Sequence, residues 1–475
     1  MNICMISSEV LPFSKTGGLA DVSYALSKEY AKTDNEVYIF TPFYDTIKLK
    51  NHKLRFVKRL KVVMNWREPE FNVYEVRYNK IHYYLIQNQQ YFERGSLYGF
   101  FDDGERFAFF ANACLEIIKE SDIKFDIVHV HDWQSAMIPC ILKCKYYDDQ
   151  KLNKIKTVLT IHNPLFKGYL DKEALFDLFN LTPDIFYEGK VRLDDKVSTL
   201  KAGIYFADKI TTVSKTHREE LLTVEGSKGL NYDLELRSGD FCGIVNGIDY
   251  QEFNPRYDKL IKFNYSRSKL EGKEKNKVEF CKEFNLNSKY PIFSVVSRLT
   301  DQKGINLMYK IAETVLKNKG NFVLVGSGQK EIEDAFINLN KQYKDNSFIY
   351  IGYNNELAHK VYAASDFFVM PSAFEPCGIG QLIAERYGTL PIVRETGGLK
   401  DTVIAYNENK EVATGFKIYS FNEDEAENTA KTALNLFYND KNTFKKLQNN
   451  AMKVDNSWKS SSKLYLGIYK ELVRF

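Results

Sequence analysis

The sequence predicts an α/β protein built from two successive doubly wound, parallel-sheet domains. Three observations carry that prediction. Short apolar runs of strand length alternate with helical stretches whose apolar residues recur about once per turn. The series then restarts as a second set at Pro291. Polar, glycine-marked segments fall just after the strands, where open α/β sheets place their ligands. A length of 475 residues leaves room for at least two cores.

In the first half, Asn2–Ser7 reads as a buried strand. The loop Pro12-Phe-Ser-Lys-Thr-Gly-Gly18 follows it and leads into a helix over 19–30. Glycines there let the backbone approach a ligand, the helix start offers N–H donors to an anion, and Lys15 adds a point charge. Val37–Thr41 is the next strand, and 54–87 contains short β-rich runs expected to form hairpins decorating the α/β unit. Tyr91 and Gly99 mark a loop before a helix over 104–120. The strand 125–130 ends in His131-Asp132-Trp133, and the strand 158–161 ends in His162-Asn163-Pro164. His129 is expected to face the core. His131, Asp132 and His162 have the chemistry for a metal cluster, but a hydroxyl-rich ligand satisfies them equally well.

Further strands are expected at 209–214 and 243–245, before the turn Asn246-Gly247-Ile-Asp249, where we place the domain boundary. The charged run 259–283 reads as a solvated face. In the second half, strands are expected at 291–296, 321–325, 348–351, 367–369, 391–393 and 415–418. Arg298 and Lys303 flank the loop after the first of these, as binding of a pyrophosphate requires. The stretch Pro371-Ser-Ala-Phe-Glu-Pro-Cys-Gly378 sits between a strand and a helix, placing Glu375, Cys377 and Gly378 at a junction. Near the C-terminus, Trp458, Tyr465, Leu466 and Ile468 form one apolar helical face.

Composition narrows the function. The 66 basic and 62 acidic residues are too balanced for a nucleic-acid binder. The seven cysteines are odd in number and contain no CxxC pair, which argues for free thiols in a reducing compartment. The N-terminus enters a strand directly, with neither a basic leader nor a long apolar run, so a cytoplasmic protein without membrane association is expected. There is no G-x-G-x-x-G for a nicotinamide and no acidic pair placed for Mg²⁺. With basic and hydroxyl-binding groups at strand ends, the residues favour an enzyme for a diphosphate-linked sugar.

Seven blocks then match one family in order. They are Lys15-Thr-Gly-Gly-Leu-Ala-Asp-Val22, His131-Asp-Trp133, Thr160-Ile-His-Asn163, Gly243-Ile-Val-Asn-Gly-Ile-Asp249, Ser297-Arg-Leu-Thr-Asp-Gln-Lys-Gly304, Pro371 to Gly378, and Thr396-Gly-Gly-Leu-Lys-Asp-Thr-Val403. With them the chain resembles bacterial glycogen synthases and plant starch synthases, from residue 3 to about 469. The resemblance implies the GT-B fold, two Rossmann-like domains facing one another across a cleft. It implies residues 1–245 as the acceptor-side catalytic domain, 246–455 as the nucleotide-sugar domain, and 456–475 as a helix packing back on the first. The implied reaction moves glucose from ADP-glucose, favoured over UDP-glucose, to the non-reducing 4-OH of an α-1,4-glucan, glycogen or a maltooligosaccharide, with retention and without a cofactor.

The same resemblance implies residue roles. Glu375, Arg298, Lys303, His162 and Asp132 are the catalytic set. Arg298 and Lys303 take the diphosphate, Glu375 the sugar hydroxyls, and the His162 carbonyl faces the anomeric carbon. Lys15, Gly17, Gly18, Asn246, Cys377, Gly378, Thr396 and Gly397 surround the donor, and Asp21, Tyr91 and Asn163 stand on the acceptor side. No metal is implied. Ile383 stands where much of the wider GT-B group carries a second glutamate, which favours the glycogen and starch synthase branch. The segment Pro164-Leu-Phe-Lys-Gly168 and Asp103 depart from the family pattern on the acceptor side. The alternatives are another retaining transferase, of maltose-forming or sucrose type, and a glucan-binding scaffold protein.

Overall fold

In the computed structural model, residues 1–49 and 52–474 are described. The chain divides into two compact units, Met1–Ile244 together with Ser461–Phe475, and Val245–Ser460.

The first unit contains strands β1 (Asn2–Ile6), β2 (Glu36–Pro42), β3 (Arg55–Lys61), β4 (Glu70–Tyr78), β5 (Ile81–Gln87), β6 (Ile127–His131) and β7 (Lys156–Ile161). These are followed by β8 (Tyr169–Leu170), β9 (Arg192–Leu193), β10 (Lys196–Ser198), β11 (Lys209–Thr212) and β12 (Phe241–Gly243). Among the described residues one sheet runs β12-β11-β7-β6-β1-β2-β5-β4-β3, and β8, β10 and β9 form a small separate sheet. From β12 to β5 every neighbouring pair is parallel, and β1 and β6 are buried along most of their length, as expected of a sheet covered on both faces. The region expected to form hairpins does so, and these hairpins extend this sheet. β5 pairs in parallel with β2, and β4 and β3 add antiparallel beyond it. The alternation of buried and exposed residues in β4 is that of a strand with one covered face; β4 joins the main sheet through β5, which pairs with β2.

The second unit contains β13 (Ile292–Val296), β14 (Asn321–Gly326), β15 (Ser347–Ile351), β16 (Phe367–Met370), β17 (Leu390–Arg394) and β18 (Phe416–Ile418). All its pairs are parallel, in the order β15-β14-β13-β16-β17-β18, which is the Rossmann order. Phe367 and Val369 pack into one apolar layer with Phe293, Val295 and Ile392, whereas Phe368 and Met370 pack into the opposite layer with Leu382 and Val393. The period-2 pleat thus feeds two cores from one strand.

In each sheet the strand order reverses beside the first strand, between β1 and β6 and between β13 and β16. Loops leaving those strands diverge there and leave a crevice at the carboxyl ends. The last helix, Trp458–Arg474, buries Tyr465 and Tyr469, and Tyr469 contacts the first unit's Tyr30 and His129. Asn456 and Ser457 pair with Ile248 inside the second unit, and a Cβ on Gly247 would lie 2.3 Å from the Trp458 nitrogen. Among the described residues no helix is long and apolar enough to cross a membrane.

Candidate functional site

In the second unit the loop after β13 and the loop after β16 are tied together. Ala373 N donates to Gln302 O over 2.9 Å, and Gln302 Nε2 donates to Phe374 O over 3.0 Å. Gly304 has φ +68°, and a Cβ there would come within 2.0 Å of Pro371 O, so only glycine allows the two loops to touch. This contact brings Lys303 Nζ to 2.6 Å from Glu375 Oε2, with the two side chains only 12% and 10% exposed. Ser372 Oγ donates to the same carboxylate oxygen over 3.0 Å. Arg298 is exposed and makes no ion pair among the described residues.

Behind Glu375 lies the helix Gly397–Thr402, with Thr396 at its N-cap. Gly398 N donates to Glu375 O over 3.1 Å. Gly397, at φ +44°, would place a Cβ 2.0 Å from the same oxygen. Gly378 also sits at positive φ, 76°. Burial lifts the Cys377 thiol to about 12, opposed by a hydrogen bond from the Asn246 backbone N–H. Cys377 is therefore a neutral packing group. The Asn246 side-chain oxygen is buried without a partner among the described residues, an acceptor that a ligand can satisfy. Of the sequence-derived candidates, Asn246, Lys303, Glu375, Cys377, Gly378, Thr396 and Gly397 thus meet around one strand-to-helix junction, with Arg298 on the loop that carries Lys303.

In the first unit, Lys15 Nζ lies 2.8 Å from Asp21 Oδ1 on the helix Gly18–Tyr30, which starts after Gly17. The sequence suggested unoccupied N–H donors in this loop. The structure differs: the buried Glu9 carboxylate accepts from Thr16 N at 2.5 Å and from Gly17 N at 3.2 Å. Thr16 Oγ1 adds a third bond at 2.8 Å. Glu9 therefore shapes the loop, a role the sequence showed only as an acidic residue just past a strand.

Asp132 adopts φ +52°, a conformation that costs energy and recurs at functional sites. Its Oδ1 accepts from His162 N at 2.7 Å and from Asn163 N at 3.3 Å, joining the ends of β6 and β7. Burial raises its pKa, and the adjacent His162 and the two N–H bonds oppose that rise. His131 Nδ1 lies 3.0 Å from His162 Nε2. These groups are spent on one another, and among the described residues no cluster of three or more His, Cys, Asp or Glu could hold a metal ion.

Tyr91, expected on the acceptor side, is 1% exposed and donates its hydroxyl to Glu105 Oε1 over 2.7 Å. Its ring stacks on Phe109 at 4.6 Å, so the structure places it in the core beneath the loop. The loop itself is held by the fully buried Arg106, which bonds Tyr91 O at 2.6 Å and Asp103 Oδ1 at 2.5 Å. Asp103, the departure noted above, also accepts from Gly99 N at 2.9 Å.

Comparison with known proteins fits this arrangement. Residues 2–236 match the starch synthase catalytic domain, and residues 276–454 match glycosyl transferases group 1. The glycogen synthase of Clostridium botulinum (strain Alaska E43 / Type E3) is 45% identical over 477 residues, covering 99% of each chain. That of Streptococcus mutans is 41% identical over 475 residues, covering 99% of this chain and 100% of the other. The catalytic domain of starch synthase IV from Arabidopsis thaliana, solved bound to ADP and acarbose, superposes with a TM-score of 0.89 at 32% identity, covering 100% of this chain and 99% of the other. A sucrose-phosphate synthase from Thermosynechococcus elongatus, at 18% identity and a TM-score of 0.59, shares the fold. Two Rossmann-like units, the charged junction at Glu375 and these full-length matches together place the chain in the glycogen and starch synthase family of retaining GT-B glucosyltransferases.

Proposed function

We propose that the protein is a glycogen synthase that transfers glucose from ADP-glucose to the non-reducing 4-OH of an α-1,4-glucan with retention. The observation that carries this reading is the Lys303–Glu375 pair at the β13/β16 switch point, with Arg298 on the loop that carries Lys303. The leaving group is an anionic diphosphate, so cleavage of its bond to the anomeric carbon needs fixed positive charge on the departing oxygens. Arg298 and Lys303 supply it. Glu375 holds sugar hydroxyls, while Asn246, Cys377, Gly378, Thr396 and Gly397 shape the donor pocket.

On the first unit, Lys15, Gly17, Gly18 and Asp21 serve the diphosphate and acceptor side. Asp132 aims the peptide of His162 so that its carbonyl faces the anomeric carbon, and Asn163 stands with it. Tyr91 acts through Glu105 and the loop above it. Retaining hydrolases use a carboxylate nucleophile on the far face of the sugar. Each candidate carboxylate is already engaged, Asp132 by the His162 and Asn163 N–H groups, Asp21 by Lys15 and Glu375 by Lys303 and Ser372, which supports attack by the acceptor hydroxyl from the face the diphosphate leaves. The new C1–O bond forms as the C1–O(phosphate) bond breaks, and the hydroxyl proton passes to the departing phosphate.

The ADP-glucose assignment is supported by the starch synthase IV domain described above, which was solved bound to ADP. The test is incorporation of labelled glucose from ADP-glucose and from UDP-glucose into glycogen. Labelling from ADP-glucose is expected; labelling from neither donor removes the proposal, and preferential labelling from UDP-glucose overturns the donor assignment.

A further inference from the structure

We propose that His131 is a positioning residue that fixes the tautomer and orientation of the His162 imidazole, with His129 and Tyr469 bracing the His131 ring. The inference rests on the reading above, in which His162 stands at the reacting sugar.

The two imidazoles meet nitrogen to nitrogen, His131 Nδ1 to His162 Nε2, at 3.0 Å. One must donate and the other accept. Burial disfavours the charged form of both rings, and neighbouring histidines push His131 further in the same direction. The other nitrogen of His131, Nε2, is buried and has no partner among the described residues. Were His131 to accept at Nδ1, its own proton would sit on Nε2 as an orphaned N–H in the interior, a rare arrangement in folded proteins. Donation from Nδ1 leaves only a lone pair unpaired. The geometry therefore assigns the proton to His131 Nδ1, which forces His162 to accept at Nε2 and to carry its own proton on Nδ1.

The His131 ring is held in place by a second buried chain. It stacks on His129 with centroids 4.3 Å apart. Both nitrogens of His129 are engaged, Nδ1 with the Tyr469 hydroxyl and Nε2 with Thr160 Oγ1, each at 2.6 Å. One direction of donation satisfies every member. Tyr30 donates to Tyr469 over 3.2 Å, Tyr469 to His129 Nδ1, and His129 Nε2–H to Thr160. Thr160 then donates to Thr211 over 2.6 Å, and Thr211 to the Leu159 carbonyl over 3.4 Å. His129 cannot turn without orphaning a buried hydroxyl, so the face it presents to His131 is fixed.

His162 is thus held at two points, its backbone N–H by Asp132 and its ring by His131. A neutral His162 with its proton on Nδ1 offers a ligand a donor and adds no positive charge beside a sugar that becomes cationic in the transition state.

The test uses the full chain with ¹⁵N-labelled histidine, in long-range ¹H–¹⁵N spectra near neutral pH, His162 being assigned by the signal lost in His162→Gln. The expected result is a neutral His162 protonated on Nδ1. His131→Phe keeps a ring for the stack but has no donor. In it His162 should move toward the Nε2-protonated form, and kcat should fall by about tenfold or more while KM for ADP-glucose changes by no more than about threefold. His131→Asn presents an amide N–H where Nδ1 lies, and should keep the tautomer and most of the turnover. A wild-type His162 protonated on Nε2 overturns the proposal. So does a folded His131→Phe variant with unchanged tautomer and kcat, or an Asn variant as impaired as the Phe variant. If His131→Phe does not fold, the wild-type spectrum and the Asn variant decide. A wild-type chain that labels no glucan sinks the functional reading but leaves the tautomer measurement intact.

Discussion

Replacing Glu375 with alanine separates the two jobs its carboxylate performs. Lys303 Nζ lies 2.6 Å from Glu375 Oε2, with about a tenth of each side chain exposed. Breaking a buried pair by removing one partner costs about 3–5 kcal/mol, because the remaining charge is left uncompensated. Partial access to water and the surviving Ser372 hydroxyl reduce this to about 2–3 kcal/mol. In a unit of this size that corresponds to a melting temperature lower by roughly 5–10 °C. Turnover should fall by about 10²–10³-fold, the scale of losing one fixed polar contact to the transition state. ADP, by contrast, should bind at least as tightly, since an anion near the diphosphate site has been removed and Lys303 has lost its competing partner. Three measurements check this: thermal unfolding, initial rates of labelled glucose transfer to glycogen, and calorimetric titration with ADP. The double variant Lys303→Met, Glu375→Leu should recover most of the melting temperature and none of the activity. A folded Glu375→Ala enzyme with parental melting temperature and near-normal turnover would refute both the energetic and the catalytic argument.

Other consequences follow from individual contacts. Gly397→Ala would place a Cβ 2.0 Å from Glu375 O at a φ of +44°, so activity should drop sharply while ADP-glucose incorporation is assayed on protein shown to be folded. Glu9→Gln replaces two carboxylate acceptors of backbone N–H groups with one oxygen and one amide donor; unfolding free energy should fall by about 1–3 kcal/mol in urea titrations, and an unchanged midpoint counts against Glu9 as organiser of the Lys15 loop. Burial raises Glu385 to about 8, against the hydrogen bond from Asn456. Its folded pKa exceeds its unfolded value, so the stability it contributes is complete below the unfolded carboxylate range and declines as pH rises to about 8. Glu385→Gln should flatten that decline, and unfolding curves taken from pH 5 to pH 9 with equal slopes for both proteins would contradict the assignment. Tyr469→Phe removes the hydroxyl between Tyr30 and His129 and should cost about 1–3 kcal/mol of stability, measured by urea unfolding.

Much of the site was legible because its residues lie close in sequence to strand ends. Glu375, Cys377 and Gly378 follow an apolar run, and Arg298 and Lys303 follow another; doubly wound sheets bring such ends together at the switch point. Glu9 was not legible. It is one of 62 acidic residues, and nothing local distinguishes a carboxylate that bonds Thr16 and Gly17 from one in solvent. Tyr91 was read as part of a glycine-marked loop on the acceptor side, and nothing in the sequence showed that stacking on Phe109 draws its ring into the core. The β3–β5 region read correctly as hairpins but not as part of the main sheet, since the strand that joins it there, β2, is a separate segment about 40 residues before β5 in the chain.

Two α/β halves, the order of their strands along the chain and the residue types at each strand end were all readable from the amino-acid sequence. Hydrophobic period, glycine placement and local charge are properties of short windows, and they are enough for that. Which ends meet follows from the folded packing: Lys303 with Glu375, Asp132 with the His162 backbone, and Tyr469 with His129 across 340 residues of chain. Those contacts exist because buried charges and hydroxyls must find partners once water is excluded, and the partners available are set by the packing of the whole unit.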